Sequence, residues 1–230
     1  MANEIALIVG AGKGLSASLA RACAKRGMKV ALAARNTEKL AALAAENGAK
    51  TYPCDAADPA AVRAVFSSVD KDLGVPTLVI YNASSRVRGP FVDIDPAQVA
   101  RAIEVTAYGG FLVAQEAAKR MLKSGSGAIF FTGASASVKG YPQSASFAMG
   151  KFALRGLAQS MARELSPQGI HVAHFVIDGG IAQPSDTRGD RGPDGFLHPD
   201  AIAQTYLNIY DQPRSAWTWE VELRPWTEKF

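Results

Sequence analysis

The stretch Ile5-Ala6-Leu7-Ile8-Val9-Gly10-Ala11-Gly12-Lys13-Gly14-Leu15-Ser16 decides the fold. Five apolar residues run into a glycine-rich turn, and Leu15, Leu19 and Cys23 then recur at helical spacing. That is a buried strand, a tight loop and an amphipathic helix. The same alternation continues outward. Short apolar runs at Val30–Ala34, Thr51–Cys54, Val75–Tyr81, Ala128–Phe131 and Ile170–Ile177 are separated by stretches with helical periodicity. These include Val62, Val65, Phe66, Val69 and Leu73, a long one from Val99 to Met121, and Leu154, Leu157, Met161 and Leu165. Continuous apolar strands between amphipathic helices predict a doubly wound, Rossmann-type α/β fold: a parallel sheet with helices on both faces. In the tail, Trp217, Trp219, Val221 and Leu223 alternate with polar residues and predict a seventh strand with one buried face, its tryptophans serving core or dimer contact. Residues 178–199, rich in Gly, Pro, Asp and Arg and without a period, read as a lid-like loop.

Composition agrees with one compact body. The chain has 230 residues, 48% hydrophobic and 20% charged, which excludes a disordered chain. Alanine accounts for 41 residues, pointing to closely packed helices. A net charge of +4 without a Lys/Arg cluster or aromatic stripe gives no reason to expect nucleic acid. No apolar run approaches the ~20 residues of a membrane span, and the start carries no leader pattern. Cys23 and Cys54 are isolated, so a reduced, cytoplasmic setting is expected. His171 and His174 invite a metal reading, but residues three apart on a strand face opposite ways, so no metal site is expected.

The loop Gly10-Ala11-Gly12-Lys13-Gly14 suits a pyrophosphate, because glycines allow a close backbone approach and the following helix presents free N–H groups. A plain turn is the alternative. The G-x-G-x-G spacing also occurs in methyltransferases that bind S-adenosylmethionine, but those want a carboxylate before the loop and another after the second strand. Here Ile8 and Val9 precede the loop, the second strand ends Ala33-Ala34-Arg35, and no acid appears until Glu38. A carboxylate there would also favour NAD. Arg35 can instead fork a 2′-phosphate, with Lys13 as a second cation, so NADP(H) is favoured unless both are solvated surface charges.

These residues resemble the short-chain dehydrogenase/reductase family over nearly the whole chain. The family's T-G-x-x-x-G-x-G loop matches Val9–Ser16 with two of three motif glycines, Ser16 standing for the last. Its adenine-contacting Asp matches Asp55, followed by Ala56; its N-N-A-G motif appears as Tyr81-Asn82-Ala83-Ser84. Its P-G-x-V turn appears as Asp178-Gly179-Gly180-Ile181, where the Ile181 amide would meet the nicotinamide carboxamide. The resemblance implies cofactor contacts at Gly10, Gly12, Lys13, Gly14, Leu15, Arg35, Asn36, Asp55, Ala56, Asn82, Ala83, Ser84, Lys151, Gly179 and Ile181. It also implies a homodimer or homotetramer built by the helices around Thr106–Met121 and Ser144–Leu165.

The family's catalytic set is altered. Its Lys is Lys151, but its Tyr is Phe147, its Ser falls on Ala134 beside Ser135, and its Asn falls on Thr106. Phenylalanine has no exchangeable proton, so the usual phenol cannot act. The chain is similar to a divergent subgroup with Phe for Tyr, a retained Lys and an incomplete glycine motif. Three readings stay open. One is a reductase acting on a carbonyl/alcohol pair, with its proton from Ser135, Tyr141, Thr106 or water. The second is a catalytically silent NADP(H)-binding sensor or partner subunit, and the third is other chemistry on the same scaffold. Arg86 and Arg88, beyond the fourth strand, could attract an anionic substrate or be solvated surface charges; Met149 and Phe152 are expected to pack.

Overall fold

A computed structural model describes residues 4–183, 188–189 and 191–228. Seven strands, β1 (Ile5–Val9), β2 (Lys29–Ala34), β3 (Lys50–Pro53), β4 (Leu78–Tyr81), β5 (Gly127–Thr132), β6 (Ile170–Ile177) and β7 (Glu220–Leu223), form one sheet in the order β3-β2-β1-β4-β5-β6-β7. Every neighbouring pair is parallel. The helices are α1 (Leu15–Lys25), α2 (Ala41–Asn47), α3 (Pro59–Asp72), α4 (Pro96–Ile103), α5 (Gly109–Ser124), α6 (Ala145–Leu165) and α7 (Pro199–Tyr210). The expected doubly wound Rossmann-type domain is therefore present.

Strand alternation sorts the core into two layers. Leu7, Val9, Val79, Tyr81, Ile129 and Phe131 face α3, α5 and α6, whereas Ala6, Ile8, Ile80 and Phe130 face α1 and α7. The chain reverses its winding between β1 and β4, and the carboxyl ends of these two strands open the crevice where such sheets bind ligands.

Three local features differ from the periodic pattern. β4 begins at Leu78 rather than Val75, since Pro76 has no N–H to give the ladder and Val75 is exposed. The long helix from Val99 to Met121 is broken by a π-helical turn at Glu104–Tyr108. Such a turn inserts a residue and alters the hydrogen-bond ladder, and here the Tyr81 hydroxyl donates to the Val105 carbonyl within it. At the tail only Glu220–Leu223 pairs, and the alternation changes sides. Trp219, before the strand, packs with the α3, α5 and α6 layer, whereas Val221 and Leu223 pack with the α1 and α7 layer. Trp217 stacks on His171 with ring centroids 4.6 Å apart.

The loop 178–199 is pinned at its base. Ala182 N–H donates to Leu197 O and Leu197 N–H to Gly180 O, both at 2.8 Å. Residues 184–187 and 190, including Asp186 and Asp190, lie outside the described residues. Among the described residues no helix is long and apolar enough to cross a membrane.

Candidate active site

The site is assembled at the carboxyl ends of β1, β4 and β5 and the amino end of α6. Gly10 and Ala11 N–H groups both donate to Ala33 O, at 2.9 and 3.0 Å, drawing the glycine loop against the end of β2. Gly10 has φ +86°, and a Cβ there would collide with the Ala83 backbone, so only glycine fits. Cβ atoms at Gly12 and Gly14 would meet nothing within 4 Å. Gly14 caps α1 without a side-chain hydrogen bond. The loop therefore faces open space with helix N–H groups directed at it, which fits a pyrophosphate.

Ser16, where a third glycine was expected, has a structural use. Its hydroxyl donates to Gly10 O at 3.1 Å and accepts from Asn82 Nδ2 at 2.7 Å, joining the loop to the end of β4. Asn82 N–H donates to Val9 O at 2.8 Å and completes this join. Leu15 and Ala56 are buried, Ala83 is half-buried and Ser84 is exposed. Lys13 and Arg35 are both exposed beside the crevice, without hydrogen-bond or ion-pair partners among the described residues. Asn36 spends its side chain on the turn after β2, where Oδ1 accepts from Glu38 and Lys39 N–H at 3.0 and 3.4 Å. The Asp55 carboxylate accepts from Ala57 N–H at 3.1 Å and is paired with Arg101 of α4.

Lys151 lies on α6, 3% exposed, and donates from Nζ to Thr132 O at 2.6 Å. Burial away from any carboxylate pulls its pKa down to about 8. Phe147, one turn earlier, has Lys151 Nζ 5.7 Å from its ring centroid. The guanidinium carbon of Arg86 lies 4.9 Å from the same centroid, and Arg86 Nη2 donates to the buried Ser144 hydroxyl at 2.8 Å.

The hydroxyls near Phe147 have different tasks. Thr106, fully buried in the π turn, accepts from Ser85 N–H at 3.0 Å and donates to Ser85 O at 3.4 Å. Gly150 makes room for it, since a Cβ there would come within 2.9 Å of Thr106 Cβ. Ser146 likewise accepts from Val87 N–H at 3.0 Å and donates to Val87 O at 2.9 Å. Ser137 Oγ accepts from Ala134 N–H. Ser135 is half-buried, and its hydroxyl has no partner among the described residues. Tyr141, Met149 and Phe152 are 44%, 53% and 46% exposed.

The Ile181 carbonyl accepts from Arg188 at 2.5 Å, and Ile181 bridges to Leu197. Gly179, at φ +147°, packs on Pro225. Asp178, where the family has Pro, is buried between Lys139 and Arg224, each at 2.8 Å. His171 and His174 face opposite layers: His171 Nε2 lies 3.0 Å from Thr218 O, and His174 Nδ1 lies 3.1 Å from Glu220, which also pairs with Arg155. Burial pushes the His174 pKa down to about 4.

The clamping role of Thr106 and Ser146, and the Arg86–Phe147 stack, are the parts that sequence reasoning missed. The available signal was a pair of hydroxyl residues, Ser144 and Ser146, just before Phe147 at the start of a helix.

A family model described as short chain dehydrogenase matches residues 4–189. A D-threitol dehydrogenase from Mycolicibacterium smegmatis is 29% identical over 87% of this chain and 83% of that protein. A short-chain dehydrogenase structure from Rhodopseudomonas palustris is 36% identical, covers 98% of this chain and 100% of its own, and superposes with a TM-score of 0.85. A metagenomic short-chain oxidoreductase in complex with NADP is 25% identical, covers 98% of each chain, and has a TM-score of 0.84.

Proposed function

The chain belongs to the short-chain dehydrogenase family of oxidoreductases, and we propose that it is an NADP(H)-dependent member acting on a small carbonyl/alcohol pair. The observation that carries this is Lys151, an ammonium buried at the carboxyl end of β5 with one backbone partner, in a crevice whose glycine loop stands open. The structure of a relative in complex with NADP supports the choice of cofactor. A bound nicotinamide dinucleotide would supply or take the hydride.

The chain's own residues do the rest. Gly10, Gly12, Gly14 and Leu15 hold the pyrophosphate at the start of α1. Lys13 and Arg35 hold the 2′-phosphate, which would give two exposed cations an anionic partner. Asp55 and Ala56 line the adenine end, where Asp55 must share its carboxylate with Arg101. Asn36, Asn82, Ala83, Ser84, Gly179 and Ile181 line the remainder of the cofactor cleft. Lys151 holds the nicotinamide ribose. Ser135, with an uncommitted hydroxyl, hydrogen-bonds the substrate oxygen, while Thr106 fixes the loop that faces it.

The proton is the open step, because Phe147 has none to give. Lys151, whose pKa burial pulls down to about 8 and whose Nζ lies 5.7 Å from the Phe147 ring centroid, is the acid we assign to this step. Phe147 supports reading the chain as one of a divergent subgroup with Phe for Tyr, and also favours a second reading, a catalytically silent NADP(H) binder. An NADPH-oxidation assay over aldehydes and ketones, with Lys151→Met alongside, separates the two. Saturable turnover lost in the variant supports the enzyme; tight NADPH binding without turnover supports the silent binder.

Exposed Tyr108 and Phe111 on the π turn and α5, with Met149 and Phe152 on α6, support a homodimer or homotetramer through these helices. A lid role for residues 178–199, the absence of nucleic acid and membrane partners, and a cytoplasmic setting complete the proposal.

A further inference from the structure

The segment after β4 alternates with a period of two. Ser84, Arg86, Arg88 and Pro90 are exposed, whereas Ser85, Val87 and Gly89 are half-buried. The buried set is fastened one residue at a time: Ser85 by the Thr106 hydroxyl, Val87 by the Ser146 hydroxyl, and Gly89 N–H to Gln143 O at 3.4 Å. The segment is thus held extended, and alternate side chains rise from one side. Two of them are arginines, about 7 Å apart along the backbone at strand spacing. Burial lowers the Arg86 pKa, and Arg88 lies close enough to lower it further.

Neither arginine has a carboxylate partner among the described residues. Arg86 is held by a neutral hydroxyl and a phenyl ring, and Arg88 has no hydrogen bond or ion pair among the described residues. Elsewhere Arg120, Arg155, Arg101 and Arg26 each sit on Asp or Glu. Two like charges side by side, with no carboxylate opposite them among the described residues, favour an anion. The place is specific: the Arg86 guanidinium lies over Phe147, the position from which the family's phenol would reach the reacting oxygen.

We propose that Arg86 and Arg88 form a substrate-anion subsite, so that the carbonyl compound this enzyme takes is an oxo acid whose carboxylate lies about one or two carbons from the reacting carbon. The inference rests on the oxidoreductase reading above and names its substrate class. Arg86 is the principal contact, because stacking on Phe147 and bonding to Ser144 orient its planar fork for a bidentate carboxylate. Arg88 adds charge. The short spacing follows from geometry, since the anion and the carbonyl must share the space beside one phenyl ring.

The test compares NADPH oxidation with a panel of 2-oxo and 3-oxo acids and with their uncharged primary amides, in wild type, Arg86→Ala and Arg86→Lys. NADPH binding by fluorescence confirms that each variant folds. The wild type should prefer the acid. Arg86→Ala should raise KM for the acid roughly 10- to 100-fold and KM for the amide much less, since the amide loses a neutral hydrogen bond and no charge pairing. Arg86→Lys should recover only part of the loss, because charge returns without the fork. Equal use of acid and amide by wild type, or an equal effect of Arg86→Ala on both, overturns the subsite and leaves the oxidoreductase standing. If no carbonyl is reduced, malonate binding to the NADPH complex by calorimetry decides. Binding lost in Arg86→Ala upholds the anion subsite while the oxidoreductase reading falls; absent or unaltered binding overturns the subsite.

Discussion

Replacing Lys151 by Met should make the ligand-free protein more stable while removing its activity. At neutral pH the fold holds an ammonium in an apolar place, and its pKa falls from the ordinary 10.5 to about 8. That shift corresponds to ~3 kcal/mol of unfavourable burial. Methionine fills a similar volume without charge, but the Lys151 hydrogen bond to Thr132 O is lost, at ~1–2 kcal/mol. The net is a gain of ~1–2 kcal/mol at pH 7, or roughly 2–8 °C in Tm for a domain of this size. The pH dependence gives the signature. Between pH 8 and 10.5 the native state has released this proton while the unfolded state keeps it, so wild-type stability rises with pH across that window. Below pH 8 both states are protonated and the penalty is present in full. Thermal melts of both proteins from pH 7 to 10 should therefore show a gap that closes as pH rises and reverses in favour of the wild type near pH 10. A Lys151→Met protein less stable than wild type at pH 7, or a gap indifferent to pH, would refute the reasoning.

Three further outcomes are expected. If Lys151 supplies the proton, kcat/KM for carbonyl reduction should fall as pH rises through about 8, and a profile flat from pH 7 to 9 would remove that role. Arg35→Ala should weaken NADPH roughly 10-fold or more and NADH little, measured as two dissociation constants; equal losses would contradict the 2′-phosphate assignment. Gly10→Ala should destabilise the fold by ~3 kcal/mol or more, read by denaturant unfolding, because it combines a positive φ with a collision at the Ala83 backbone.

The strands and the glycine loop were legible because their signals are local. Ile5–Val9 and Ile170–Ile177 are uninterrupted apolar runs, and both are strands with those bounds. The π turn was not, because Val99 to Met121 keeps an almost helical period across the inserted residue. The tail was legible only in part: two tryptophans extended the alternation beyond the four residues that pair. Within the site, Lys151 and Phe147 could be placed from their four-residue spacing on one helix. The clamp on the loop after β4 could not, since it joins Ser85 to Thr106 and Val87 to Ser146 across long separations. Nothing local to Arg86 announces that it will lie on a ring sixty-one residues further along the chain. Ser16 looked like a missing glycine, and only three dimensions reveal its hydroxyl bridging Gly10 and Asn82.

The central claim is that this crevice moves a hydride between a nicotinamide and a carbonyl carbon despite Phe147. Turnover with NADPH deuterated at the transferring position of the ring, followed by mass spectrometry of the product, tests it most directly. The account predicts deuterium on the carbinol carbon of the alcohol formed, and none with Lys151→Met. Firm NADPH binding with no label transferred to any oxo acid, aldehyde or ketone would contradict it.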